Sequence, residues 1–218
     1  MIVIRSGSAP VPTVLGERPR IQVSEVPTKD EINRALAEVG PGRRLVLCGT
    51  DAALAALVTR LLRSENLDAE VAYVADEPTP ATRAYGLPTG SDAAKLGLRG
   101  KAREVPLVRD ETGTALVGEA LVRAPDGARL VGEAYADDTV VFSGETDAFT
   151  VRPTPELPGV RATAARPRKL RRRPWVAARA VQLGTEAGVL TRDGITGRRA
   201  IKRTSFYRHT EPWRLVSP

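Results

Sequence analysis

Apolar residues in the first hundred positions follow two alternating patterns. Short continuous apolar runs at 2–4, 45–48 and 71–74 are typical of parallel strands that are covered on both faces. Between them, apolar residues recur with the period of a helix over 29–39 and again from Leu54 to Leu62. This order of strands and helices predicts an open parallel sheet with helices packed on it.

Local signals set the ends of these helices. Thr28 and Glu31 have the spacing of a capping box, which starts the helix over 29–39. Gly40 follows that helix and ends it. Ser91 then predicts the start of a further short helix, over 92–97.

The pattern changes after about residue 104. Turn signals now arrive every 8–12 residues, and short apolar runs separate them. Pro125-Asp126-Gly127, between the runs 115–122 and 128–134, predicts a β-hairpin. This spacing indicates an antiparallel β-sandwich or a distorted barrel.

The sequence therefore predicts two domains, of the α/β and the all-β class. Residues 1–104 form an N-terminal parallel α/β domain of Rossmann-like, nucleotide-binding type. Residues 105–218 form an antiparallel β-sandwich-like domain that carries a basic segment over 161–173.

Composition fits a cytoplasmic globular protein. The 218 residues are 42% hydrophobic, enough for packed cores. No apolar run approaches the roughly 20 residues of a membrane span, and the start Met1–Arg5 lacks the pattern of a signal peptide. The single cysteine, Cys48, cannot form a disulfide within the chain and is predicted to be a small buried residue.

Charge is distributed unevenly along the chain. Residues 1–150 carry 17 Lys and Arg against 22 Asp and Glu, whereas residues 151–218 carry 16 against 4, a net charge of +12. This asymmetry indicates a surface for phosphates of a nucleotide, a lipid headgroup or a nucleic acid. The alternative is that the charge serves solubility only.

The basic side chains are densest in one segment: Arg166, Arg168, Lys169, Arg171, Arg172 and Arg173. Our first hypothesis for this segment is contact with anionic lipid, as a peripheral attachment at the inner membrane face. RNA or DNA phosphates are the second hypothesis, and a solvated loop is the third.

Two loop-to-helix junctions are candidates for ligand binding. Cys48-Gly49-Thr50-Asp51 follows a predicted central strand, and ligands of open α/β sheets bind beyond the carboxyl ends of such strands. Glycine there lets the backbone approach a phosphate, and the start of a helix favours an anion. The alternative is that Gly49 only permits the turn and Asp51 only caps the helix. A second junction of this type runs from Pro88 to Asp92.

These junctions, about 40 residues apart and followed by a β-rich domain, resemble the catalytic region of diacylglycerol and sphingosine kinases and their NAD-kinase relatives. The family's G-G-D-G-T-L-N-E turn is matched at Gly49, Asp51, Leu54 and Leu57. Its P-x-G-T-x-N-D-F-A loop is matched at Pro88, Gly90, Asp92 and Ala94. Ser6-Gly7 resembles the turn after the family's first strand, and 213–218 resembles its final strand.

The chain departs from the first motif at several positions. Thr50 and Ala52 replace glycines, Ala53 replaces the threonine, and Ala55-Ala56 replaces the Asn-Glu pair. These replacements remove contacts to phosphate and hydroxyl groups that the resemblance would otherwise imply. The chain thus resembles a shortened member with eroded motifs.

The resemblance implies an ATP site between the two domains, with Mg²⁺ carried on the nucleotide and no separate metal site. The implied nucleotide-binding residues are Ser6, Gly7, Gly49, Thr50, Asp51, Pro88, Thr89, Gly90 and Ser91. An active enzyme would transfer the γ-phosphoryl group to a lipid or another hydroxyl, with Asp193 as the catalytic base. Ile195 stands where the family's D-G-E turn has its glutamate.

Three functions stay open at this point. The first is an ATP-dependent lipid kinase, the second an inactive pseudokinase or scaffold of the same fold, and the third a basic nucleic-acid-binding module. From the residues alone, Asp193-Gly194 is also an ordinary hairpin turn. The departures in the first motif favour the pseudokinase over the active enzyme.

Overall fold

The computed structural model describes residues 1–39, 44–165 and 174–218. They divide into two compact units. The first comprises Met1–Val105 together with Glu211–Pro218, and the second comprises Pro106–Thr210. The sequence had assigned all of 105–218 to one domain, whereas Val105 and Glu211–Pro218 belong to the first unit.

The elements follow one another along the chain in this order. The first unit forms β1 (Ile2–Ser6), β2 (Arg20–Val23), α1 (Lys29–Val39), β3 (Arg44–Cys48), α2 (Asp51–Arg63), β4 (Glu70–Val74), α3 (Pro80–Tyr85), α4 (Gly90–Arg99) and β5 (Lys101–Val105). The second unit forms β6 (Val108–Asp110), β7 (Ala115–Leu116), β8 (Ala120–Arg123), β9 (Leu130–Ala136), β10 (Thr139–Thr146), β11 (Phe149–Pro153), β12 (Val160–Ala164), β13 (Val176–Ala178), β14 (Ala180–Arg192), β15 (Ile195–Thr196) and β16 (Ile201–Arg208). The last strand, β17 (Trp213–Ser217), belongs to the first unit.

The first unit is built on a six-stranded sheet in the order β2-β1-β3-β4-β17-β5. Its neighbouring strands run parallel except for β5, which is antiparallel to β17. The apolar run of β3 is fully buried, as expected for a central strand covered on both faces. The predicted α/β class is confirmed for this unit.

Helix α1 begins and ends where the sequence predicted. The backbone N–H of Thr28 donates to the Glu31 carboxylate at 2.7 Å, and the N–H of Glu31 donates to the Thr28 hydroxyl at 3.4 Å. This reciprocal pair is the predicted capping box. Within the described ranges, no helix is long and apolar enough to cross a bilayer.

Helix α3 was not predicted from the sequence. Proline suits the first position of a helix, where its missing N–H would have no partner in any case. Thr79 and Thr82 cap each other at that end. The Tyr85 ring of α3 meets the buried Trp213 edge-on, with centroids 5.7 Å apart, which helps to explain why the terminal strand joins this sheet.

The second unit is an antiparallel sheet of 11 strands. The predicted all-β class is confirmed for this unit. Strand β14 organises it, because its 13 residues pair with β16 on one side and with β9 and then β8 on the other. The register shifts between Gly184 and Gly188, where β14 passes from β9 to β8. The core contains Phe142, Phe149 and Phe206.

The hairpin predicted at 125–127 is wrong. Strands β8 and β9, which flank this turn, do not pair with each other but lie one after the other along β14. Asp126 and Gly127 both have positive φ, and the segment forms a short 3₁₀ turn. The turn residues were identified correctly, but both flanking strands pair with β14 instead of with each other.

Candidate functional site

The loops that the sequence singled out in the first unit meet at one edge of its sheet. Strands β1, β3 and β4 are adjacent and parallel, so the residues after them lie side by side at their carboxyl ends. The N–H of Gly49 donates to the Val74 carbonyl at 3.2 Å, and the N–H of Gly90 donates to the Ala75 carbonyl at 2.8 Å. Both predicted junctions are therefore fixed to the end of β4, and we call this region the carboxyl edge.

Ser6 and Gly49 contact each other across this edge. A Cβ atom at Gly49 would lie only 2.8 Å from Cβ of Ser6 and 3.1 Å from its hydroxyl, so glycine is needed for the two loops to approach. The buried Ser6 hydroxyl donates to the Glu25 carbonyl at 2.7 Å. It is thus used within the protein.

Gly7 serves the turn that leaves β1. Its φ is 52°, in the left-handed region that favours glycine. Its N–H donates to the Val23 carbonyl at 3.0 Å, and its own carbonyl accepts from the Gln22 amide at 2.6 Å. These bonds tie the turn to β2.

Asp51 stands where the resemblance places a functional carboxylate, and it is buried. It accepts from the Tyr73 hydroxyl at 2.8 Å and from the backbone N–H of Ala81 at 3.0 Å. The carboxylate thereby joins the start of α2 to β4 and to the start of α3. Thr50 caps α2 by accepting from the N–H of Ala53 at 3.3 Å.

The loop from Pro88 to Ser91 is the open part of the carboxyl edge. Pro88, Thr89 and Gly90 are half-exposed, and Ser91 is exposed. Gly90 has a φ of 55°, and a Cβ there would meet nothing closer than the Asp76 carbonyl at 3.9 Å. The Thr89 side chain makes no capping hydrogen bond to α4. A ligand could therefore approach the backbone here.

The basic side chains next to these loops in the sequence are already engaged. The Arg5 guanidinium donates to the Ala9 carbonyl at 2.8 Å, and Lys95 pairs with Asp92 at 2.8 Å. In the part of the chain that the structure describes, no three His, Cys, Asp or Glu side chains gather to hold a metal ion. The Arg5 and Lys95 side chains beside these loops are therefore paired within the protein.

Cys48 is a buried core residue, as predicted. Burial raises the pKa of its thiol to about 11, although the charges of Arg20 and Arg5 oppose that effect. The thiol is protonated at neutral pH and cannot act as a nucleophile.

Asp193, the predicted base, lies in the second unit in the turn between β14 and β15. Asp193 and Gly194 have φ of 48° and 87°, as in a two-residue hairpin turn. The buried carboxylate accepts backbone N–H bonds from Val117 at 3.2 Å, Gly118 at 2.7 Å and Glu119 at 3.1 Å. These donors occupy the oxygens that a base would direct at a substrate hydroxyl. The catalytic role stays a prediction, and the contacts argue against it.

The basic segment 166–173 lies outside the described residues, and this includes all six side chains predicted to bind anions: Arg166, Arg168, Lys169, Arg171, Arg172 and Arg173. Beside it in the chain, the Trp175 ring contacts two guanidinium groups, from Arg152 at 5.0 Å and Arg161 at 4.8 Å. Desolvation lowers the pKa of Arg161, and the positive charge of Arg152 adds to that effect. Contact of the segment with lipid or nucleic acid stays a prediction.

Comparison with known proteins identifies the fold. No protein-family model matches the sequence, and no curated protein matches it significantly. A diacylglycerol kinase from Bacillus anthracis str. Sterne matches with a TM-score of 0.71 at 11% identity, covering 100% of this chain and 96% of that one. An NAD kinase from Archaeoglobus fulgidus, solved in complex with ATP, matches with a TM-score of 0.65 at 12% identity, covering 100% and 94%.

A yeast NADH kinase complexed with NADH matches with a TM-score of 0.58 at 14% identity, covering 93% of this chain and 67% of that one. The chain thus has the fold of diacylglycerol kinases and NAD kinases, as the motifs in its sequence indicated. Identities this low establish the fold and not the activity.

Proposed function

We propose that this kinase-fold chain binds a nucleotide at its carboxyl edge and does not transfer the phosphoryl group. It would then be a pseudokinase that uses the nucleotide as a bound ligand. The observation that carries the proposal is the position of the Asp51 carboxylate, which is buried and held by Tyr73 and Ala81.

A carboxylate in this state is poorly suited to phosphoryl-transfer chemistry. A base must lie within hydrogen-bond reach of the hydroxyl that it deprotonates, and a ligand of Mg²⁺ must present a free oxygen. Both oxygens of Asp51 accept hydrogen bonds from the protein itself. Asp193 is in the same condition, since three backbone N–H groups donate to it.

Nucleotide binding rests on a different part of the edge. The half-exposed loop at Thr89 and Gly90 opens the start of α4. The N–H of Gly90 donates to Ala75, so the N–H groups that follow it in the first turn of α4 would meet a phosphate. The NAD kinase from Archaeoglobus fulgidus, which has the same fold, was solved in complex with ATP. If ATP is the ligand, its Mg²⁺ arrives on the nucleotide, and the chain supplies backbone contacts.

Calorimetric titration with Mg-ATP, paired with an assay of ADP formation on diacylglycerol vesicles, tests both parts of the proposal. We expect heat of binding and no ADP. Gly90→Leu should abolish the heat by covering the loop, and Gly86→Leu is the matched control. Gly86 has a φ of 64° and no atom within 4 Å of a Cβ, so the two substitutions carry similar backbone strain.

Each contrary result has a distinct meaning. Absence of heat and of any thermal shift would remove nucleotide binding and leave the fold alone. Equal loss in both glycine variants would place the site elsewhere. Formation of ADP that Asp193→Asn abolishes would establish the alternative, an active kinase that acts on a lipid or another hydroxyl.

A further inference from the structure

A polar cleft of about 580 Å³ lies on the second unit, over strands β9, β14 and β16. The strand register places its lining in two rows on one face of the sheet. Tyr135, Gln182 and Ser205 form the first row, and Glu133, Gly184 and Arg203 form the second. The alternating residues Ala134, Leu183 and Thr204 are buried, and Leu183 and Thr204 also border the cleft. The volume falls within the roughly 300–1,000 Å³ of small-molecule sites.

Gly184 forms the floor of this cleft, and neither conformation nor packing requires a glycine there. Its φ lies outside the left-handed region, and a Cβ would meet nothing within 4 Å. Gly188 on the same strand is different, since its Cβ would lie 2.7 Å from the Val122 side chain. Glycine weakens a strand interior, and it often marks a place where a ligand approaches the backbone. The missing side chain at Gly184 opens the cleft at its centre.

Opposite charges flank this floor. Glu133 and Arg203 lie on the two strands beside β14, roughly 10 Å apart at their Cα atoms from the usual strand spacing. Glu133 accepts from the Tyr135 hydroxyl at 3.0 Å, and this bond raises the pKa of the phenol, which stays a donor. Among the described residues, the Arg203 guanidinium makes no ion pair or hydrogen bond within the protein.

A second carboxylate borders the cleft at the Arg203 strand. One oxygen of Glu111 accepts from the backbone N–H of Ser205 at 2.9 Å and from the Thr204 hydroxyl at 3.3 Å. With two carboxylates and one guanidinium in the lining, a polyanion is disfavoured. A simple cation is disfavoured as well, because Arg203 would be left facing it.

We propose that this cleft binds a zwitterionic small molecule, with its ammonium group at Glu133 and its carboxylate or phosphate at Arg203. The ligand lies over Gly184, and the Gln182 amide and Ser205 hydroxyl contact its middle. The charges are complementary at both ends, so specificity comes from the separation of the two groups.

Two probes distinguish the source of the anionic group: 5-aminovalerate carries a carboxylate, and phosphoethanolamine carries a phosphate. Pentylamine and valerate, each with one of the two charges, are the controls. We expect calorimetry to detect millimolar binding of at least one zwitterion, and binding of each control to be about tenfold weaker or absent. Comparable binding of a singly charged control would overturn the proposal, as would no heat from either zwitterion at tens of millimolar.

Three variants test the geometry. Gly184→Thr fills the floor with a residue that strands favour, so binding should be lost while the melting temperature stays or rises. Arg203→Gln should lose binding. Lys202→Gln also removes one positive charge, but at the neighbouring position on the opposite face of β16, so it should keep binding. Retention of binding in Gly184→Thr, or equal loss in both charge variants, would reject the assignment.

Discussion

The carboxyl edge of the first unit and the cleft of the second unit differ in what their charged side chains do. At the edge, Asp51 is buried with two donors from its own chain. In the cleft, Arg203 is exposed and makes no side-chain bond within the described residues. The motif that resembles a known family marks the first region, and no motif marks the second.

This difference shows that a motif and an available site are separate properties. A glycine or carboxylate from an eroded motif can be retained because the fold needs it, as Gly49 is needed beside Ser6. Gly184 is a glycine that the fold does not need. Available chemistry is therefore better identified from side chains that the protein itself leaves unused.

The largest effect that tests this comparison is expected at Asp51. Asp51→Ala should lower the free energy of unfolding by about 3 kcal/mol, because the N–H of Ala81 and the hydroxyl of Tyr73 would both lose this buried acceptor. Urea unfolding measures this loss. Asp92→Ala, which removes an exposed carboxylate at the start of α4, is the control and should change it by less than about 0.5 kcal/mol. An Asp51 variant as stable as wild type would mean that the carboxylate is kept for function.

Asp193 gives the same test in the second unit. Asp193→Asn keeps a residue that tolerates the φ of 48° but replaces one acceptor oxygen with an NH₂ group. We expect a loss of about 2 kcal/mol, since N–H groups of the segment 117–119 would lose an acceptor. Urea unfolding would again be the measurement. Unchanged stability together with a loss of phosphoryl transfer would restore the prediction of a catalytic base.

Most of the fold was predictable because its elements have strong local signals. The apolar run of β3 and the capping box of α1 depend only on neighbouring residues. The turn at 125–127 has local signals too, but the partner of each flanking strand lies on β14, between 45 and 72 residues further along the chain. Long-range pairing of this kind leaves no trace in local periodicity.

The sequence was sufficient to predict where the candidate site lies, but not which of its side chains are already bonded within the protein. The order of strands and helices was sufficient to place Gly49 and Gly90 at one edge. The partners of Asp51, by contrast, lie 22 and 30 residues away in the sequence. The cleft depends on a register that brings Glu133, Gly184 and Arg203 into one row, and periodicity along a single strand does not contain that register.

A third carboxylate, Glu31, sharpens the comparison because it is fully partnered but only half-buried. Backbone and hydroxyl donors of Thr28 and Ser24 lower its pKa from 4.5 to about 2, with the Thr28 backbone bond as the largest cause. Since the folded pKa is depressed, its stabilisation is fully present above pH 4.5 and is lost as the pH falls towards 2. Solvent screening keeps the effect below about 1 kcal/mol.

Unfolding of Glu31→Gln, followed between pH 2 and 4.5, should show a flatter pH dependence than wild type. Glu38→Gln, at the other end of α1, should follow the wild-type curve. If the two variants coincide, the capping carboxylate contributes nothing measurable, and partnered carboxylates matter in this chain only where they are buried.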